Sequence, residues 1–250
     1  MIKMDEEIMV SICCLAYNHE NYIKEAIEGF LMQKVNFKYE IIIHDDASTD
    51  NTQKIIKEYE KKYPEIIKPI YQTENQYSQG KRGMLIMLEK AKGKYIAFCE
   101  GDDYWIDIDK LKTQVEYMEE NPDCSFCFHN AKILDITNKE EKTFIPLNRL
   151  QKNYLKKEGN YSAGELALLG FIPTASFLFR AKHIVNIPKW YSKAIAGDIT
   201  FRLVMTSMGY AHYIDKIMSV YRVGNSNSMS SKWQKENKEA IIDRFSEIYT

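Results

Sequence analysis

Three carboxylates, Glu100, Asp102 and Asp103, crowd into four positions within Phe98–Trp105, which reads FCEGDDYW. They come directly after Tyr95-Ile96-Ala97-Phe98, an apolar, β-prone run. Like charges gathered at the end of a buried strand are costly unless a cation or hydrogen-bond donors compensate them. Hard oxygen donors of this kind suit Mg²⁺ or Mn²⁺, ions that commonly bridge to substrate phosphates. The segment is therefore expected to form a metal–diphosphate site, although an acidic run taken alone also fits a solvated turn. Two further polar clusters follow β-prone runs, Ala16-Tyr17-Asn18-His19 and His44-Asp45-Asp46-Ala47-Ser48. Acidic groups converging on one rim are harder to ascribe to chance than any one cluster.

The elements that would hold these clusters alternate in type. Ile8–Leu15, Tyr39–Ile43, Ile66–Tyr71 and Tyr95–Cys99 read as strands. Between them, Asn21–Gln33 has helical spacing, a second helix runs to Tyr63 with Ser48, Thr49 and Asp50 as N-cap candidates, and Gly83–Lys92 reads as a third. Repeated β-α-β-α with apolar strands implies an α/β fold, a mostly parallel sheet covered by helices on both faces. Ligands of such sheets bind beyond the carboxyl ends of the strands, where strand order reverses. The second half is less regular. It reads as a helix over Lys110–Asn121, a strand over Ser125–Leu134, and a polar loop or hairpin over Asp135–Gly159. A short strand over Ala175–Phe179, a helix over Gly197–Met208 and a strand over Tyr213–Tyr221 follow. Gly224–Ser231 is rich in Gly, Asn and Ser, and Lys232–Thr250 is an amphipathic helix candidate.

Composition narrows the function classes. The chain has 250 residues, 45% of them apolar and 28% charged, enough for a sizeable core. A net charge of −1 with acids and bases intermixed argues against a nucleic-acid surface. No run of about 18 apolar residues offers a membrane span, and the acidic start MIKMDEE is unlike a secretory signal. Five cysteines stand in or beside strands; the Cys124/Cys127 pair has no second pair for zinc, so buried thiols and a reducing cytoplasm are expected.

Four segments, in order, resemble the family 2 glycosyltransferases: MVSICCLAYNHENYIKEAIEGFLMQ, YEIIIHDDASTDNT, AKGKYIAFCEGDDYW and AGDITFRLVMTSMGYAHYIDKIMSVYR. The resemblance covers roughly positions 8 to 225. It implies the GT-A fold, a Rossmann-like sheet with an elaborated acceptor side. A single domain over 1–231 would divide into a nucleotide-sugar-binding half, 1–105, and an acceptor-binding half, 106–231, with 232–250 as a C-terminal helix. The implied reaction is inverting transfer of a sugar from a nucleoside-diphosphate donor, UDP favoured, to a hydroxyl of a glycan or lipid-linked glycan. A divalent ion, Mn²⁺ or Mg²⁺, would assist, and the site would face the cytoplasm, with contact to a membrane surface left open for 232–250.

The resemblance also implies roles. Ala16, Tyr17 and Asn18 would meet the nucleotide, Tyr17 by packing on the base. Asp46 would accept a hydrogen bond from the base, and Asp45 would hold its loop. Arg82 would reach the base or phosphates, or serve as surface charge. Asp102 and Asp103 are the metal candidates, with Asp102 favoured and also placed against the nucleotide. Asp198, at a helix start that favours its ionised form, would be the general base. Trp105 either stacks on a sugar or belongs to the core, and His129 and Thr174 are weaker acceptor-side candidates. The family's metal motif has Asp where this chain has Glu100. Many relatives have a histidine where this chain has Gly224, leaving water, Arg222 or the following loop to do its work. Two other readings fit the carboxylates: a glycosidase acid pair, and a nucleotide-sugar-binding module without catalysis.

Overall fold

Unbroken runs of Ile, Val and Cys dictate strands buried on both faces. The computed structural model describes residues 7–144, 158–169, 171–194 and 197–224. In it β1 (Val10–Ala16) and β2 (Tyr39–Asp45) pair in parallel from Val10↔Tyr39 to Ala16↔Asp45. β3 (Ile67–Tyr71) extends β2, and β4 (Tyr95–Phe98) lies on the other side of β1, both parallel. The order therefore reverses between β1 and β4, and the polar residues that follow these strands share that reversal.

Beyond β4 the sheet is mixed. β9 (Leu178–Arg180) runs antiparallel between β4 and β6 (Cys124–Asp135). β10 (Tyr210–Val223) is parallel to β6, and β5 (Tyr104–Trp105) closes the far edge against it. β7 (Glu140–Thr143) and β8 (Gly159–Tyr161) are short additions to β6 and β10. One sheet thus carries strands from both halves of the chain, in the order β3-β2-β1-β4-β9-β6-β10-β5.

The period of two along β1 sends Val10, Ile12, Cys14 and Ala16 to one face and Cys13 to the other. The first face packs against Ile23, Ala26, Ile27 and Phe30 of α1 (Ile23–Leu31), Ile56 of α2 (Thr52–Lys62), and Leu111 and Val115 of α4 (Lys110–Glu120). The second face packs against α3 (Gly83–Leu88), α5 (Ala163–Ala167) and α6 (Gly197–Thr206). All five cysteines are buried free thiols, as their place in apolar strands predicts.

Several expected boundaries shift for identifiable reasons. α3 stops at Leu88 instead of reaching Lys92. The N–H groups of Lys92 and Gly93 donate instead to Glu40 Oε1 (2.9 Å) and Ser11 Oγ (2.8 Å), in a buried knot at the start of β1. The strand expected from Ala175 starts at Leu178, because Thr174–Ser176 forms a 3-10 turn held by Ser176 Oγ on Pro173 O (2.6 Å). α2 begins at Thr52; of the three cap candidates only Asp50 meets its first N–H, at 2.9 Å. The proposed helix over 232–250 and the Gly/Asn/Ser-rich loop after Gly224 lie outside the described residues, as does most of the loop expected over 135–159.

Lys110 is a buried cation on the inner face of α4. Its Nζ donates to Gln114 Oε1 at 2.8 Å and lies 4.0 Å from the centre of the Trp105 ring. Burial pushes its pKa down to about 7 from an ordinary 10.5. Below pH 7 folded and unfolded chains are both protonated there, so the full penalty of burying the charge applies. Between those values the unfolded chain binds more protons, and stability rises with pH by up to about 1.4 kcal/mol per unit. Lys110→Met removes this titration. Urea midpoints measured from pH 7 to pH 10 are expected to rise more steeply for the parent chain than for the variant.

Candidate active site

β1, β2 and β4 deliver their polar ends to one place. Gly101 N–H donates to Leu15 O (2.8 Å) and Asp46 N–H donates to Ala16 O (2.9 Å), so the turns after all three strands adjoin. The contact is tight: a Cβ on Gly101 would lie 2.9 Å from both His19 Nδ1 and Ile23 Cδ1. Asn18 and Ala47 hold positive φ angles of 55° and 60°, strained backbone of a kind that concentrates at functional sites. The turns also brace each other. Asn18 N–H donates to Ser48 Oγ (2.9 Å), Thr49 N–H to Asn18 Oδ1 (2.8 Å) and Glu20 N–H to Asp50 Oδ2 (3.1 Å). Ser48, Thr49 and Asp50, read from sequence as caps, thus join the loop after β2 to the loop after β1.

The three acids of the β4 turn have separate environments. Glu100 takes the Thr174 hydroxyl on both carboxylate oxygens, at 2.7 and 2.6 Å. Burial raises its pKa to about 7 against the opposing Thr174 bond, with Asp102 and Asp198 adding to the rise. Asp103 is 1% exposed and accepts the Arg222 backbone N–H at 2.8 Å. Burial, then the charges of Asp102 and Glu100, holds it well above the carboxylate range. Asp102 alone has no hydrogen-bond donor on its carboxylate among the described residues; His19 Nε2 stands 3.8 Å from its Oδ2. Of the two metal candidates, Asp103 is turned inward and Asp102 keeps a partly exposed side chain (15%).

Among the described residues no three His, Cys, Asp or Glu side chains stand together as a ready-made metal cage. One available carboxylate on a crowded acidic turn fits instead an ion such as Mg²⁺ or Mn²⁺ that keeps waters and shares a substrate's phosphates. Its positive charge would oppose the burial and the mutual repulsion that together raise Glu100 and Asp103.

The other predicted residues divide. Tyr17, in the turn after β1, is 37% exposed. Asp46 is buried, and its carboxylate accepts the N–H groups of Gln76 (2.7 Å) and Tyr77 (3.1 Å), so here it anchors the loop after β3. Arg82 does not point at open rim. It donates to the carbonyls of Ser192 (3.0 Å) and Ala194 and lies over the Tyr191 ring, tying the start of α3 to the segment before α6. Gly197 has no side chain at that approach; a Cβ would collide with the Arg82 guanidinium. Asp198 then enters in the first turn of α6, close enough to Glu100 and Arg202 to act on their ionisation.

Three expectations are corrected by burial or direction. Trp105 is 1% exposed, edge-on to Phe30, with its Nε1 donating to Ala175 O at 2.9 Å; it is core and offers no face to a sugar. His129 is fully buried with Nδ1 on Asn130 O (2.7 Å), and burial, then Lys110, pushes its pKa well below the usual value. It does not line an acceptor pocket. Arg222, a candidate for meeting phosphates in place of the missing histidine, supports the acidic turn from behind. It donates to Asp102 O (2.6 Å), pairs with Glu25 and lies 4.2 Å over Tyr104.

One contributor was not singled out in the sequence, and another was given a different role. His19 appears there only as the last member of a polar cluster; its place beside Asp102 needs the contact between the β1 and β4 turns. Thr174 was expected near the acceptor, and its bond to Glu100 was not legible. Thr174→Val keeps the shape but leaves a buried carboxyl without its donor. It is expected to cost about 1–3 kcal/mol in urea unfolding, with Thr174→Ser restoring most of it.

Known proteins share this fold and sequence. The family model described as Glycosyl transferase family 2 matches residues 11–184. An uncharacterised protein of Mycobacterium tuberculosis is 37% identical over 200 residues, covering 76% of this chain and 55% of its own length. This chain therefore spans about half the length of its mycobacterial relatives. The UDP-Glc:alpha-D-GlcNAc-diphosphoundecaprenol beta-1,3-glucosyltransferase WfgD of Escherichia coli is 31% identical over 236 residues, covering 94% of this chain and 85% of that protein. Among solved structures, S. aureus TarS 1-349 in complex with UDP-GlcNAc superposes with a TM-score of 0.65 at 18% identity, covering 90% of this chain and 61% of that one. The mannosyltransferase PcManGT from Pyrobaculum calidifontis, in complex with GDP-Man and Mn²⁺, also gives 0.65, at 16% identity, covering 98% and 65%.

Proposed function

Because this chain belongs to glycosyltransferase family 2 and has the GT-A fold, we propose that it moves a sugar from a UDP-linked donor to a hydroxyl of a glycan or lipid-linked glycan, with inversion at the anomeric carbon. The observation that carries this reading is the acidic turn at the β1/β4 reversal, where Glu100 and Asp103 are held by protein donors and the Asp102 carboxylate has no hydrogen-bond donor among the described residues. Asp102 would hold the divalent ion, with His19 beside it. When bound, that ion supplies positive charge against the leaving diphosphate.

This chain's residues supply the rest. Tyr17 packs on the base, and Asn18, braced by Ser48 and Thr49, shapes the turn beneath the nucleotide. Asp46 holds the loop after β3 and accepts from the base with its remaining lone pairs. Asp198 takes the proton of the acceptor hydroxyl as that oxygen bonds to the anomeric carbon; the bond to the diphosphate breaks, and its electron pair leaves with the nucleotide. UDP is favoured by the UDP-Glc donor in the name of WfgD and the UDP-GlcNAc bound to TarS, whereas PcManGT holds a GDP sugar. The acceptor reading follows WfgD, whose name specifies a lipid diphosphate-linked sugar.

The test is to incubate the protein with UDP-sugars and lipid diphosphate-linked sugars and determine the anomeric configuration of the product by NMR. An α-linked donor is expected to give a β-linked product. A product of retained configuration would overturn the single-displacement reading with Asp198 as base. Release of free sugar alone, without a metal requirement, would favour hydrolysis.

A further inference from the structure

The segment that leads into Asp198 has a surface unlike the rest of the chain. From Leu166 to Gly197, 32 residues contain no acid, although the chain as a whole has 35 acids in 250 residues, about one in seven. Within this stretch two 3-10 turns, Ala181–Asn186 and Lys189–Lys193, present an outer row of Lys182, Val185, Lys189 and Trp190. Val185 is 85% exposed and Trp190 57%. Their exposure is not a packing slip, because Ile184, Ile187 and Tyr191 of the same turns already face the core. An aliphatic and an indole side chain framed by lysines, without nearby acids in sequence, match a bilayer interface. The ring and branched chain enter the headgroup region while the ammonium groups meet lipid phosphates.

We propose that Lys182–Trp190 docks this chain on an anionic lipid bilayer, at the edge of the acceptor side. The segment is anchored to the site itself. Arg82 holds the Ser192 and Ala194 carbonyls, and the Tyr191 hydroxyl donates to Gly197 O (3.0 Å) immediately before Asp198. Trp190 is linked to this turn through its neighbour Tyr191, whose hydroxyl bonds the residue before Asp198. The inference rests on reading the acceptor as lipid-linked, and it is tested without donor or acceptor so that the two can fail separately.

The full chain is sedimented with vesicles of phosphatidylglycerol and phosphatidylcholine, and with phosphatidylcholine alone. Binding to the anionic vesicles is expected. Lys182→Gln with Lys189→Gln should weaken it by roughly 25-fold, about fivefold per lysine. Val185→Ser with Trp190→Ser should weaken it by at least about tenfold. In a Trp233→Phe background, where Trp105 is buried, the emission of Trp190 should shift to the blue on anionic vesicles. Absence of binding to anionic vesicles would overturn the proposal, as would binding that all four substitutions leave unchanged. The same variants are melted with UDP and Mn²⁺: a retained shift keeps the donor site standing whatever the vesicles show, and its absence in the parent chain counts against the transferase reading itself.

Discussion

Asp198→Asn is expected to lower the turnover of sugar transfer by about three orders of magnitude, within the range for loss of a general base, while UDP binding changes less than threefold. The substitution keeps the size of the side chain and its place in the first turn of α6 but removes its ability to accept a proton. Gly197, the Arg82 guanidinium and the Tyr191 hydroxyl position this turn. Arg202, one turn further on and fully buried, loses a favourable electrostatic partner. A drop in melting temperature therefore has to be measured alongside. The informative result is a fall in kcat with an intact donor shift and a folded protein at assay temperature. Transfer within tenfold of the parent would place the base elsewhere.

Asp102→Ala and Asp103→Asn are expected to part company. Among the described residues the Asp102 carboxylate has no hydrogen-bond donor, so its removal should leave the fold intact and weaken metal-dependent UDP binding by about a hundredfold or more, the scale of losing a metal ligand or its support. Asp103 is buried against the Arg222 N–H, and its raised pKa favours the neutral form. Asparagine offers the same acceptor oxygen there, so Asp103→Asn should bind UDP and Mn²⁺ within about threefold of the parent by titration calorimetry. Equal losses in both variants would show that the pair acts jointly on the ion and that the turn reorganises when it binds.

The first, parallel half of the sheet was legible because each step rests on local chemistry. Apolar runs of four to seven residues, helical spacing between them and polar residues after them identify β1, β2 and β4 and place their ends together. The direction of individual side chains was not legible. Glu100, Asp102 and Asp103 are indistinguishable as a run. What separates them is Thr174 and Arg222, which are 74 and 119 residues away in sequence. For Trp105 and His129 the sequence leaves ligand contact and core both open, because aromatic and imidazole groups serve both; only Ala175 O, Phe30 and Lys110 around them decide for the core. The short strands β5, β7 and β8 carry too few residues for a period to show, and the pairing that creates them is non-local.

The most direct measurement is the melting temperature of the parent chain against UDP, GDP and other nucleoside diphosphates, each with and without Mn²⁺. A ligand that binds only the folded state at a hundred times its Kd stabilises by about 2.7 kcal/mol, which for a chain of this size is a shift of roughly 5–10 °C. The expected result is a shift of that order with UDP that requires Mn²⁺ or Mg²⁺ and disappears in Asp102→Ala. No shift with any nucleoside diphosphate at millimolar concentration, with metal present, would contradict a donor site at the β1/β4 reversal.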